Sequence, residues 1–164
     1  MPTTRIEGDV YVAGNLASNS LSAPSGAINN AAIAAAAGIS ASKLEHQHAQ
    51  TYSQPNTTAT AERRSMFHCR GATGTVVAVH AWATTASTLN AVVTVDVLRG
   101  HTSILSSPIV LNSSDVALTP KAGTVSLSSL AAGNILSIVS TVSAGTGTLA
   151  TGLGVQIITR ESAE

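Results

Sequence analysis

Few residues in this sequence are placed to do chemistry. His46-Gln47-His48 sets two imidazoles two residues apart, and in an extended segment both side chains point the same way. Imidazole ligands suit iron, nickel, zinc or copper. One chain offers only this pair, too few for a tight site, so a metal would need three chains meeting on an axis. In their polar surroundings the two histidines read as linker residues or hydrogen-bonding interface groups, and no metal is expected. Cys69 stands between His68 and Arg70, either of which could depress a thiol pKa. A cysteine inside a strand reads instead as a small buried side chain. His80, Asp96 and one of many serines supply the residue types of a hydrolytic triad, but no Gly-x-Ser-x-Gly elbow accompanies them. Gly71-Ala72-Thr73-Gly74 and Gly145-Thr146-Gly147 run into further strand rather than a helix N-terminus, so neither is a phosphate cradle. The sequence leads us to expect no enzyme and no cofactor.

One surface group remains. Alternation puts His80 with Trp82 on one strand and Thr94 with Asp96 on the next, and the four could share one outward sheet face. Such a face could serve a subunit contact or a sugar platform, and a single Trp makes the subunit contact the stronger expectation.

These residues must be held by their elements. The chain of 164 residues is long enough for about one domain and divides near residues 55 to 62. Earlier, Gly8-Asp9-Val10-Tyr11-Val12-Ala13 and Gly14-Asn15-Leu16-Ala17-Ser18-Asn19 read as turn-plus-short-strand units. Asn30 can cap a short helix over 31–37 with Gly38 as its stop, too short to be stable alone. Residues 45–62 are polar, contain Pro55-Asn56 and read as a linker ending in a solvated Arg63-Arg64. From Arg63 onward the text is all-β. Strands are predicted near 66–70, 75–83, 91–99, 103–105, 108–111, 125–130, 134–142 and 149–160. Val77, Val79 and Ala81 should face the core from one strand, and Val93, Val95 and Val97 from the next. Seven or eight short strands without helical crossovers indicate an antiparallel β-sandwich or jelly roll.

Composition narrows the function classes. Eight basic residues balance eight acidic ones, and only 10% of residues are charged. A neutral chain lacks the electrostatic footprint for nucleic acid. No apolar run approaches the ~18 to 20 residues of a membrane helix, and the polar start from Met1 to Asp9 is not expected to be a secretory signal. A single cysteine excludes an internal disulfide framework and fits synthesis in a reducing cytoplasm. Sparse charge on a Ser/Thr/Ala surface hints at assembly.

Three stretches carry a family resemblance. The pattern Ile28-x-Asn30-x-x-Ile33, then Ala37-Gly38-Ile39-x-x-Ser42-Lys43-Leu44, resembles a segment of fibre-like and head-decoration proteins of tailed bacteriophages. Val95-Asp96-Val97-Leu98-Arg99-Gly100-His101-Thr102-Ser103-Ile104-Leu105-Ser106 and Leu130-Ala131-Ala132-Gly133-Asn134-Ile135-Leu136 are similar to phrases of their β-sandwiches. Where those proteins usually carry a Lys/Asn-Gly turn, this chain has Arg99-Gly100-His101.

The resemblance implies a homotrimeric decoration (cement) protein, made in the bacterial host cytoplasm, that binds the major capsid protein on the outer capsid surface. A fibre or knob protein binding host glycans is the alternative. The expected organisation is a jelly-roll-like antiparallel β-sandwich over 59–164, preceded by an extended N-terminal arm and linker over 1–58 with short strands and a short helix. Expected partner or subunit contacts are Val10, Val12, Leu16, Ile28, Ile33, Ile39, Leu44, His46, His48 and Trp82.

Overall fold

Runs of Val, Ile and Thr broken by Gly, Asn and Ser turns leave this sequence little choice but strand. A computed structural model describes residues 46–162. Within them lie ten strands and no helix: β1 (His46–Ser53), β2 (Glu62–His68), β3 (Thr73–Trp82), β4 (Val92–Arg99), β5 (Thr102–Ser103), β6 (Ile109–Leu111), β7 (Lys121–Gly123), β8 (Ser129–Ala131), β9 (Ile135–Ser143) and β10 (Gly154–Glu161). The short strands expected over 8–19 and the helix over 31–37 lie outside the described residues.

The strands form two antiparallel sheets, a β-sandwich. The first has the order β1-β10-β3, with β7 and β8 both pairing β3; the second has β2-β9-β4, with β5 and β6 both pairing β4. β4 sets the core: Val93, Val95 and Val97 are buried as alternation predicts, and Leu136 and Ile138 of β9 join them. Val79 and Ala81 of β3 with Val155 and Ile157 of β10 supply the facing layer. Each such Val, Leu or Ile contributes about 1.5–3 kcal/mol when fully buried.

The two sides of the sandwich are closed differently. On one, the chain after β5 and the chain after β7 are stitched by main-chain bonds: Leu105 bridges Val125, Ser106 N–H donates to Thr124 O (2.9 Å) and Ser126 N–H donates to Ile104 O (2.8 Å). On the other, the edge strands β1 and β2 meet through side chains. Tyr52 O–H donates to Glu62, Arg64 donates to the same carboxylate, and the Arg64 guanidinium lies 5.9 Å from the Tyr52 ring centre. Burial first, then the bond to Glu62, raises the Tyr52 pKa, while the bonds from Tyr52 and then Arg64 lower that of Glu62.

Three expectations are corrected. The supposed linker over 45–62 contains β1, paired with β10 from His46 to Ser53. Its polar composition suits a sheet edge, where charged and polar residues discourage further pairing. Val77 is not in the core. Ala78 faces Ile158 while Val76 faces Thr159, which leaves Val77 without a counterpart. This bulge reverses the alternation, so Val76 is 3% exposed and Val77 45%. Finally, β10 begins at Gly154 rather than near 149, and β7 has no counterpart among the predicted strands.

Candidate functional site

The outer face of the first sheet carries a depression of about 350 Å³ lined by His80, Trp82, Leu118, Pro120 and Gln156. Register builds its floor. Trp82 pairs with Gly154 and His80 with Gln156, across β3 and β10. A Cβ at position 154 would run into indole atoms Cε2, Cζ2 and Nε1, so glycine there lets the ring rest against the neighbouring strand. Gln156 Nε2 donates to Thr51 Oγ1 on β1 at 3.2 Å, which anchors the amide.

The wall comes from the loop between β6 and β7. Asp115 pins that loop: Asn112 N–H donates to its Oδ2 (2.7 Å) and Lys121 Nζ to its Oδ1 (2.8 Å). Burial alone would raise the Asp115 pKa, but the bonds from Lys121 and Asn112 outweigh it and the net shift is downward. Leu118 sits at φ +59° and is 66% exposed, and its N–H donates to Ala83 O at 2.8 Å. A leucine in the left-handed region is strained; here the backbone bond to Ala83, the residue after β3, holds it there.

Thr94 and Asp96 do not belong to this face. They sit on β4, in the other sheet, so the expected four-residue patch is divided between opposite sides of the sandwich. Asp96 acts locally instead. Its Oδ1 accepts from Ser103 Oγ (2.7 Å) and Val97 N–H (2.8 Å), which supports the β4–β5 turn.

His46 and His48 lie near each other on β1. The His46 and His48 rings stack with centres 6.4 Å apart. His48 turns inward, 6.0 Å from the Phe67 ring, with Nε2 at 3.2 Å from Glu161 Oε2. Among the described residues no group of three side chains is placed to hold a metal ion. Trp82 is remote from the pair. His46 lies opposite Glu161 and Trp82 opposite Gly154, a separation of roughly 23 Å along β10 at strand rise. Val10, Val12, Leu16, Ile28, Ile33, Ile39 and Leu44 lie outside the described residues.

Sequence reasoning missed Glu161. It is buried, and its Oε1 accepts from Arg70 N–H (2.7 Å) and Gly71 N–H (3.1 Å). Burial would raise its pKa, but the bond from Gly71, the neighbouring Cys69 thiol and the bond from Arg70 outweigh that and lower it. Cys69, fully buried beside it, is pushed up to about 11 by burial first and then by Glu161. The thiol is therefore protonated and inert at neutral pH, and His68 and Arg70 do not activate it. Only the place of Glu161 on the inward row of β10, visible once the register is known, marks it in advance of the geometry.

The chain matches no family model, no curated protein and no solved structure.

Proposed function

We propose that this chain is a non-enzymatic structural protein of a tailed-bacteriophage virion. It forms a homotrimer on the outer capsid surface, binds the major capsid protein and ties neighbouring capsomers together. The observation that carries this reading is the junction of two features. The segment resembling decoration proteins, 28–44, is followed at once in the chain by β1, and β1 is an edge strand of a β-sandwich. A further support is strand order. Taking β5 with β6, and β7 with β8, as single interrupted strands leaves two four-membered sheets ordered β1-β10-β3-β7/β8 and β2-β9-β4-β5/β6, an arrangement that reads as a jelly roll.

In this reading the residues ahead of β1 form the arm, and their apolar positions grip the shell and the other subunits. Many weak contacts at each capsomer then add through avidity. The division belongs just before His46 rather than at 58, because removing β1 would strip β10 of its neighbour.

Light scattering on the full chain should give a mass near three times 16.4 kDa, and the protein should co-sediment with undecorated phage heads. Deleting residues 1–45 should leave a folded sandwich that no longer binds heads. A monomer that ignores heads would overturn the proposal, and undiminished head binding by the truncated chain would overturn the role given to the arm.

A further inference from the structure

We infer that the depression around Trp82 is a binding site for a neutral hexopyranose, with the sugar ring stacked on the indole; this does not rest on the virion reading. The placement of the tryptophan is the first ground. Trp82 is the only tryptophan in the chain, and it stands on the outer face of the sheet instead of in the core, oriented by the missing Cβ of Gly154. An indole held in this way presents an apolar ring at no rotamer cost to a ligand.

The second ground is the pair of polar groups on the adjoining row. His80 and Gln156 face each other across β3 and β10. The Gln156 amide is already anchored through Nε2 to Thr51, so its carbonyl is a pre-oriented acceptor for a hydroxyl. The third ground is shape and charge. At about 350 Å³ the depression lies at the small end of ligand sites, room for one ring. Its lining holds two apolar walls, Leu118 and Pro120, and no Asp, Glu, Lys or Arg. The lining offers a cation no carboxylate and an anion no guanidinium or ammonium, whereas a sugar brings an apolar C–H face to the indole and a rim of hydroxyls to His80 and Gln156. The strained Leu118, exposed yet fixed by its bond to Ala83, is a wall kept in place without a core to pack against, which is where backbone strain tends to be retained for function.

The full chain reports on this site by itself, since red-edge excitation selects Trp82. It would be titrated with the methyl glycosides of glucose, galactose, mannose, N-acetylglucosamine and rhamnose. At least one should give a saturable change in emission at millimolar concentration. Gln156→Ala should weaken that binding by about tenfold, the loss of one hydrogen bond, while Thr94→Ala on the opposite sheet should leave it unchanged. Saturation-transfer NMR should show the sugar signal lost in Trp82→Phe, with circular dichroism verifying that each variant is folded. The inference fails if none of the five sugars gives a saturable response, or if binding survives both Gln156→Ala and Trp82→Phe. It fails equally if Trp82 emission changes with protein concentration and no sugar competes, which would make the depression a contact between copies of the chain.

Discussion

Glu161 offers the sharpest test of how this sandwich is held together. Its carboxylate lies at the end of β10, where one oxygen takes the N–H groups of Arg70 and Gly71 and the other faces His48 on β1. It thus ties the turn before β3 to the end of β10. Glu161→Ala removes the acceptor from two N–H groups, and Gly71 is buried, so water cannot readily replace it. An unsatisfied buried donor costs about 1–3 kcal/mol, and a hydrogen bond to a charged group contributes about 1.5–3 kcal/mol. The expected loss is about 3–5 kcal/mol, a large part of a typical domain's stability. Glu161→Gln keeps an acceptor oxygen and the shape but loses the charge, for about 1–2 kcal/mol. Equilibrium urea unfolding at neutral pH should show both losses as shifts in midpoint at constant slope.

The same pair of proteins carries a pH signature. The folded Glu161 carboxyl titrates below the ordinary value of 4.5. Above that value the ionised group stabilises the fold, and this contribution is lost as pH falls through the lower folded value. The stability gap between wild type and Glu161→Gln should therefore be full at pH 7 and shrink in acid. Glu62 and Asp115 also titrate low, but they are present in both proteins and cancel in the difference. A Gln variant as stable as wild type at pH 7, or a gap that stays constant into acid, would refute the role assigned to this carboxylate.

Other consequences are quickly checked. Leu136→Ala, at a fully buried site, should cost about 2–5 kcal/mol by thermal or urea unfolding, while Val77→Ser at the exposed bulge should stay within about 0.5 kcal/mol. Cys69 should resist a thiol reagent at pH 8 in the native protein, given its pKa of about 11 and its burial, and react at once in denaturant. Gly154→Ala should displace the indole from its strand, lowering stability by about 1–3 kcal/mol and shifting Trp82 emission to the red.

How much of the fold is legible in the sequence depends on burial contrast. β4 declares itself because Val93, Val95 and Val97 alternate with polar or half-buried positions on a central strand with neighbours on both sides. β1 does not. As an edge strand it buries little, so Gln50 and Tyr52 take inward positions that a central strand would give to Val or Ile. β7 is three residues long and contains Gly123, where a Cβ would press on the Ile109 and Leu105 side chains. A strand that short gives no period to detect. Val77 misleads for the opposite reason: the local alternation is clear, but a bulge is decided by the partner strand.

The candidate site shows the same limit at the level of faces. Alternation along one strand says which residues share a side of that strand, and on this basis His80 goes with Trp82, and Thr94 with Asp96. It cannot say whether two successive strands lie in one sheet. Here β3 and β4 are consecutive in the chain and separate in space, because the chain crosses to the opposite layer between them. The neighbours that complete the Trp82 depression instead come from far along the chain. Gln156 arrives on β10 and Leu118 on a loop pinned by Asp115. Gly154 carries no chemistry by type, yet it decides where the indole rests. A site assembled from one aromatic, one amide and the absence of a Cβ is visible only when strand order is known. In a chain so poor in charge and aromatics, the register between β3 and β10 does more to define a binding surface than any run of residues along either strand.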